Sequence, residues 1–299
     1  MSLARPHGTG WRLDAACPVG PLETWLDRLR TDSGGGAVAL GVDLPLGLPR
    51  EYAQRFVQTN DFVEFLRCLY ARDDEWQNFF HVCAELHEIS PARPFYPARG
   101  IAGMTRAAHA AAMGLEGPSG LSRRCDRATT SRPAGAPLFW TLGANQTGKA
   151  AITAWRDVLL PAMASAKPPR LWPFEGGLHS LLAPGAVVIA ETYPAESMRQ
   201  RGLHLLGSKR RQSDRAALRP ALDAALAERG AIPSPALQAE IDSGFGEDAS
   251  GEDRFDSLLG LLGLLAVLDG SQPDFIPDDP LVRQWEGWVL GQTNLPLQP

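Results

Sequence analysis

The sequence predicts an α/β protein, because two apolar runs have the length of buried strands and helical patterns lie between and after them. The first run, Ala37–Val42, is followed by Asp43, and the second, Ala186–Ala190, is followed by Glu191. Short continuous apolar runs are typical of strands that are covered on both faces. We therefore expect both runs to be central strands of a sheet, each with a carboxylate at its carboxyl end.

Two elements are predicted ahead of the first buried run. Residues 11–18 resemble a short strand, and a helix is predicted over residues 21–30. Pro21 suits the first helical position, and apolar side chains recur at helical spacing after it. The residues before Trp11 are few and polar, and no strand is predicted there.

The long segment between the two buried runs is predicted to be mostly helical. Helical patterns cover residues 52–70 and 74–86, and a second helix pair is predicted over residues 101–113 and 149–164. The rest of the segment is rich in Ala, Gly and Arg and shows no clear strand pattern. We therefore interpret residues 50–183 as a helical insertion.

Three helices are predicted after the second buried run. One begins near Ala195, an amphipathic one covers residues 213–229, and the last covers residues 252–269. Gly260 and Gly263 leave one side of the last helix without side chains. We expect these glycines to let the helix approach a sheet closely.

The composition is that of a folded protein outside the membrane. With 44% apolar and 21% charged residues, the chain differs from disordered chains and coiled coils. The longest strongly apolar run, residues 258–268, is shorter than the roughly 20 residues that span a bilayer. No leader pattern opens the chain and its four cysteines are widely spaced, so we expect a cytoplasmic protein with reduced thiols. The sequence does not indicate an oligomeric state.

Four carboxylates form the first candidate site. Asp43 and Glu191 end the two buried strands, and Asp253 and Asp256 lie on one face of the last helix. Sites in α/β sheets gather at the carboxyl ends of strands, and close carboxylates repel one another unless protons or a divalent cation neutralise them. Such oxygen ligands suit Mg²⁺ or Mn²⁺, which can activate water for phosphodiester cleavage. The alternative is that the two helix acids only complement the helix dipole.

Several ordered motifs resemble those of a known family. They are Val42–Pro49 (VDLPLGLP), Phe139–Lys149 (FWTLGANQTGK), Ala190–Ala195 (AETYPA), Glu252–Ser257 (EDRFDS) and, at the end, Trp285–Trp288 (WEGW). Together they resemble a bacterial family of unknown function that is described as predicted RNase H-like nucleases. The resemblance covers about residues 11–288.

This resemblance implies an RNase H-like mixed sheet flanked by helices, with residues 1–299 as one domain and the helical insertion inside it. It implies Asp43, Glu191 and Asp256 as ligands of Mg²⁺ or Mn²⁺, and Asp253 as a further catalytic acid. The implied activity is that of a metal-dependent nuclease or phosphodiesterase, with nucleic acid or a phosphate ester as the substrate. Because the activity of that family is itself inferred from its fold, the resemblance supports the fold more than the reaction.

The sequence departs from the family pattern at its start. RNase H-like folds begin with a strand that carries an essential Asp in a Gly-x-Asp context, and residues 1–10 do not supply one. A second interpretation therefore stays open. In it, the protein is a catalytically silent module that binds nucleic acid or nucleotide through the same groove, with an incomplete carboxylate site.

A glycine-rich segment is the second candidate site. Gly143–Lys149 matches the nucleotide-binding pattern G-x-x-x-x-G-K, but Ala150 stands where that loop needs a hydroxyl to hold Mg²⁺. Three interpretations stay open. The segment is an ATPase loop, a loop in which Asn145, Gln146 and Lys149 hold a phosphate, or a structural turn before a helix.

Two short basic runs are the third candidate. One consists of Lys209, Arg210 and Arg211 with Arg215 nearby, and the other of Arg123 and Arg124 with Arg127. Such clusters contact phosphates and make binding salt-dependent, although short basic runs are also typical of solvated helix ends. The net charge of −5 gives no overall attraction to nucleic acid, so binding would depend on a local patch of this kind.

Overall fold

A computed structural model describes residues 1–71, 75–100, 102–143 and 147–297. These residues form a mixed α/β protein with small sheets and many helices, as the sequence predicts at the level of fold class. The chain divides into two compact units. The first unit consists of Met1–Pro21, Gly41–Asp43 and Thr192–Asp274, and the second of Leu22–Leu40, Leu44–Glu191 and Phe275–Pro299.

The strands are short. They are β1 (Leu3–His7), β2 (Gly10–Asp14), β3 (Val38–Val42), β4 (Arg170–Leu171), β5 (Val187–Glu191) and β6 (Ala231–Pro233).

The helices make up most of the regular structure. They are α1 (Trp25–Asp32), α2 (Arg50–Phe56), α3 (Phe62–Ala71), α4 (Arg106–Ala112), α5 (Thr147–Thr153), α6 (Leu160–Met163), α7 (Leu178–Leu181), α8 (Pro194–Gln200), α9 (Gln212–Ala216), α10 (Arg219–Ala227), α11 (Pro235–Asp242) and α12 (Gly251–Leu268).

The sheet of the first unit has the order β1-β2-β6. A tight turn at Gly8 and Thr9 joins β1 to its antiparallel neighbour β2, and β6 pairs parallel to β2. The prediction of no strand before Trp11 is wrong. Polar residues such as Arg5 are compatible with β1 because this strand lies at the edge of its sheet and its middle is solvent-exposed.

The second sheet has the order β3-β5-β4, so the described strands form two three-stranded sheets rather than the single sheet that was expected. The prediction for β5 is confirmed, because all five of its residues are buried and it pairs on both sides. The N–H of Val38 donates to the carbonyl of Ala186 at 2.9 Å, and β4 runs parallel to β5.

The prediction of a central position for β3 is wrong. This strand is an edge strand in the described sheet, and each of its five residues is only partly buried. An apolar run indicates that a segment prefers burial, but the position of a strand in a sheet depends on how many partners it pairs with. Here β5 is the strand with two partners, so it takes the centre.

The predicted insertion is mostly helical, with β4 as its strand. A nearly continuous helical segment over α5 and α6 agrees with the predicted helix at residues 149–164, whereas the helix predicted over residues 74–86 is wrong in its described part. That part consists of turns, extended chain and a short 3₁₀ helix. Its apolar residues mark an aromatic core instead, since Trp76 and Phe79 pack edge-on against Phe65 of α3.

In the first unit, leucines and phenylalanines of α10, α11 and α12 form the core together with Leu13 of β2. The helix predicted over residues 213–229 is two helices, α9 and α10. Pro220 lies in the first turn of α10, where the missing N–H of proline does no harm, and so it marks a helix start.

The glycines of α12 do provide a close approach, Gly263 to a helix and Gly260 to the residue that follows β5. A Cβ atom at Gly263 would lie 2.2 Å from the hydroxyl oxygen of Ser197 on α8. A Cβ atom at Gly260 would lie 3.3 Å from the hydroxyl oxygen of Thr192, just before α8. The spacing therefore predicts the contact face correctly, but the partner of Gly263 is a helix and not the expected sheet.

In the second unit, the turn at residues 45–49 interlocks with the chain at residues 285–287. The N–H of Leu48 donates to the carbonyl of Trp285 at 2.7 Å. Gly47 and Gly287 both have positive φ angles, of 126° and 67°. A Cβ atom at Gly47 would lie 2.3 Å from the carbonyl oxygen of Glu286, so only glycine fits this crossing.

Candidate functional site

A cluster of charges connects the basic run at residue 209 with the N-terminal part of α12. The ammonium group of Lys209 pairs with the carboxylate of Asp256 and lies 3.4 Å from Oε1 of Glu252. Glu252 and Asp256 are four residues apart, so they lie on the same face of α12. We call Lys209, Glu252 and Asp256 the lysine cluster.

The segment Ser208–Arg211 is held in place by its neighbours. Arg215 on α9 is fully buried and donates to the carbonyls of Lys209, Gly244 and Gly246. Asp214 accepts the N–H of Ser208 at 2.8 Å. Arg215 is therefore a structural residue, and it fixes the backbone from which Lys209 reaches α12.

The electrostatics of the lysine cluster follow from partial burial. Burial raises the pKa of Asp256 above its ordinary value, although the adjacent Lys209 lowers it. Burial lowers the pKa of Lys209, but its contacts with Asp256 and Glu252 outweigh burial and raise that pKa. Oδ1 of Asp256 is buried and has no hydrogen-bond partner among the described residues.

The other predicted residues of this region are exposed. Asp253 faces solvent on α12 and is not part of the lysine cluster. The side chain of Arg210 is 78% exposed, and that of Arg211 is 66% exposed. Arg210 lies 3.9 Å from Glu252, and Arg211 pairs with Asp214 at 2.7 Å.

Glu191 lies in a different setting, at the end of β5. Its Oε2 accepts the N–H of Leu46 at 2.8 Å and Nη1 of Arg123 at 2.6 Å, and its Oε1 accepts Nη2 of Arg123 at 2.7 Å. Arg123 also pairs with Asp126 at 2.9 Å. Burial raises the pKa of Glu191, against the opposing effect of Arg123.

The guanidinium of Arg123 is therefore a buried structural cation. Its side chain is 1% exposed, and burial alone would lower its pKa. The neighbouring carboxylates of Asp126 and Glu191 reverse this and hold the pKa of Arg123 well above its ordinary value. The prediction that Arg123 belongs to a phosphate-binding surface is wrong, because the group is sealed against acids of its own chain.

A second ion network begins at the next residue. Arg124 pairs with Asp279 at 2.7 Å, and its backbone N–H donates to Oε1 of the fully buried Glu286 at 3.0 Å. Arg50 pairs with both Asp279 and Glu286. Consecutive arginines thus connect the turn at residues 123–126 to two separate sets of acids.

The arrangement around Glu191 does not fit a bound metal ion. Three N–H donors hold the Glu191 carboxylate, so a cation would have to displace Arg123. Asp43 follows β3 and is exposed. Among the residues that the structure describes, no group of three or more His, Cys, Asp or Glu side chains is arranged to hold a metal ion.

The glycine-rich segment is described only in part, because Asn145 and Gln146 lie outside the described residues. Lys149 is exposed on α5. The N–H of Gly148 donates to the carbonyl of Trp140 at 3.0 Å, and a Cβ atom at Gly148 would lie 2.7 Å from the same oxygen. This glycine therefore serves close chain packing, and its amide is not available to a phosphate.

The sequence analysis does not identify two residues of these clusters, Glu252 and Asp126. Glu252 is not among the predicted site residues, although its four-residue spacing from Asp256 indicates a shared face. Asp126 lies three residues after Arg123, a spacing that predicts a local pair, but nothing in the sequence indicates the long-range partner Glu191.

In comparisons with known proteins, no family model, no curated protein and no solved structure matches the chain. In the described part of the chain, no helix has both the length and the apolar character needed to cross a bilayer.

Proposed function

We propose that the protein is a catalytically silent module that binds the phosphates of nucleic acid or nucleotides through the segment Ser208–Arg211. The observation that carries the proposal is that one basic residue of this segment is paired with acids while the other two are exposed. Lys209 is committed to Glu252 and Asp256, while the guanidinium groups of Arg210 and Arg211 face solvent on a backbone that Arg215 holds fixed.

The two exposed arginines are well suited to phosphate contacts. Their pairs with Glu252 and Asp214 are at the surface, where an ion pair contributes between about 0 and 1 kcal/mol. A phosphate can therefore replace either acid at little cost. Guanidinium groups also bind phosphate oxygens in a bidentate manner, which lysine cannot do.

The proposal that the module has no catalytic activity is supported by the cations that pair with the expected metal ligands. Glu191 is neutralised by Arg123, and Asp256 is neutralised by Lys209. An RNase H-like fold remains part of the proposal. It is supported by the parallel pairing of β4 with β5, and by the carboxylates of Glu191, which ends β5, and Asp43, which follows β3. Cleavage with Mg²⁺ or Mn²⁺ is the competing prediction.

A binding experiment tests the proposal. A fluorescent single-stranded oligonucleotide and a labelled mononucleotide are titrated with wild-type protein and with Arg210→Gln/Arg211→Gln at several salt concentrations. We expect the double variant to bind the oligonucleotide at least tenfold more weakly. For a single strand, log K falls with log salt concentration, and the loss of two phosphate contacts makes this negative slope less steep by about 1.4.

The matched control is Arg156→Gln/Arg170→Gln, which removes two other exposed, acid-paired arginines. Equal weakening in both double variants would contradict a specific role for Ser208–Arg211. A parallel assay with Mn²⁺ decides between the two functions. Cleavage by the wild type that is lost in Asp43→Asn, Glu191→Gln and Asp256→Asn would establish the nuclease instead.

A further inference from the structure

The first unit contains a cavity of about 420 Å³ beside the C-terminal ends of α8 and α10. Arg201 and Arg229 line it, together with the polar side chains of Gln200, Ser271 and Gln272 and the solvent-exposed carboxylate of Glu228. Leu203 and alanines of α10 form its apolar part. This volume lies within the range of pockets that hold small organic ligands.

Arg201 is a partly buried cation, and the carboxylates of Asp269 and Glu228 act on it from beyond ion-pair distance. Its Nη2 donates to the carbonyl of Leu262, and its Nε is buried without a hydrogen-bond partner among the described residues. Within the same residues, no carboxylate forms an ion pair with it. A buried charge of this kind is costly, since most buried charges are paired or bind a ligand.

The neighbouring cation increases this cost. The side chain of Arg229 is 8% exposed, and it pairs with Asp269 and donates to the hydroxyl of Ser271 at 2.9 Å. Its Nε is also buried without a described partner. Burial and the charge of Arg229 lower the pKa of Arg201 to about 10, against the effect of Asp269 and Glu228.

The helix ends explain only part of this arrangement. The carbonyls at the C-terminal ends of α8 and α10 favour cations nearby, and both arginines follow such an end. A solvent-exposed side chain would satisfy these carbonyls without desolvation. The ion pair with Asp269 accounts for the burial of Arg229, whereas the partial burial of Arg201 at a cavity requires another explanation.

We propose that this pocket binds the phosphate group of a small phosphate monoester, with Arg201 and Arg229 as the anion-binding residues. The two guanidinium groups and the side-chain amide of Gln272 supply N–H donors that suit the three terminal oxygens of a phosphate. The alanines and Leu203 then contact the organic part of the ligand. This site is separate from Ser208–Arg211, so it goes beyond the function proposed above.

The test is calorimetric titration at constant ionic strength with three probes: phenyl phosphate, inorganic phosphate and benzoate. We expect the wild type to bind phenyl phosphate most tightly. Arg201→Gln should weaken that binding at least tenfold, which corresponds to about 1.4 kcal/mol. Arg219→Gln, which removes an exposed arginine of α10 outside the pocket, should bind like the wild type.

Thermal unfolding without ligand gives a second, independent result. Arg201→Gln removes a partly buried charge that has no direct ion pair, so we expect its melting temperature to equal or exceed that of the wild type. A lower melting temperature with unchanged phosphate binding would overturn the proposal, because Arg201 would then be structural. Equal or tighter binding of benzoate would overturn the assignment to a phosphate. Arg201→Lys, which keeps the charge but loses the bidentate donors, should also bind phenyl phosphate more weakly.

Discussion

At the scale of single residues, His109 shows how burial fixes a protonation state. The side chain is fully buried, its Nε2 lies 2.8 Å from the carbonyl of Pro94, and its ring lies beside those of Tyr96 and Trp140. Burial lowers the pKa of His109 from 6.5 to about 4, against the raising effect of the bond to Pro94. The folded protein therefore keeps this imidazole neutral.

The consequence is a loss of stability in acid. Between pH 6.5 and pH 4 the unfolded chain binds a proton at His109 that the folded chain does not, so stability falls as the pH falls through this window. The full effect is roughly 3 kcal/mol. We expect His109→Gln, whose amide can still donate to Pro94, to lack this contribution. Urea unfolding at pH 4.5 and pH 7 measures it, and an equal pH dependence in both proteins would contradict the prediction.

At the scale of elements, the contact of α12 with α8 predicts different effects for two glycines of the same helix. Gly263→Ala places a methyl group against Ser197, and such overpacking costs about 1–3 kcal/mol. At Gly260 the nearest atom is more than 1 Å further away, so the helix propensity of alanine should balance any crowding. Thermal unfolding of the two variants compares them.

A compensating variant tests the cause. Ser197→Ala removes the hydroxyl that the new methyl group meets, so Gly263→Ala/Ser197→Ala should recover part of the lost stability. Equal melting temperatures for Gly263→Ala and Gly260→Ala would show that the contact with Ser197 does not control the packing of these helices.

At the scale of the whole molecule, the C-terminal segment is an integral part of the second unit. Trp288 and Glu286 are fully buried, and Glu286 pairs with Arg50. Deleting residues 275–299 leaves this arginine without its buried partner, at about 3–5 kcal/mol, and removes a core tryptophan at a similar cost. The sum is comparable to the entire stability of a typical domain, about 5–15 kcal/mol.

We therefore expect the deletion variant to show no cooperative unfolding transition in circular dichroism. The single substitution Leu295→Ala, at an exposed position of the same segment, is the control and should leave the transition unchanged. A normal transition in the longer deletion would mean that the core of the second unit is complete without this segment.

Some elements of the fold can be predicted from the sequence, whereas strand positions and long-range ion pairs cannot. The strand β5 and the helix α12 are predicted almost to the residue, because their apolar runs are long and uninterrupted. The edge position of β3 is not predictable in this way, since a strand's place depends on its partners. The predicted metal ligands meet cations that lie far away in the chain, Glu191 with Arg123 and Asp256 with Lys209. No local pattern encodes such pairs.

The crossing of Gly47 and Gly287 has a consequence for how the chain is made. Because the turn at residues 45–49 is completed by residues 285–287, a long stretch of chain is synthesised between the two sides of this contact. The second unit cannot finish folding on the ribosome until residues 285–287 have emerged. During that interval the apolar surface around Trp155, whose indole N–H bonds to the carbonyl of Pro45, has to be protected from aggregation. The sequence separation of this contact therefore sets a minimum waiting time between the synthesis of the turn and its final packing.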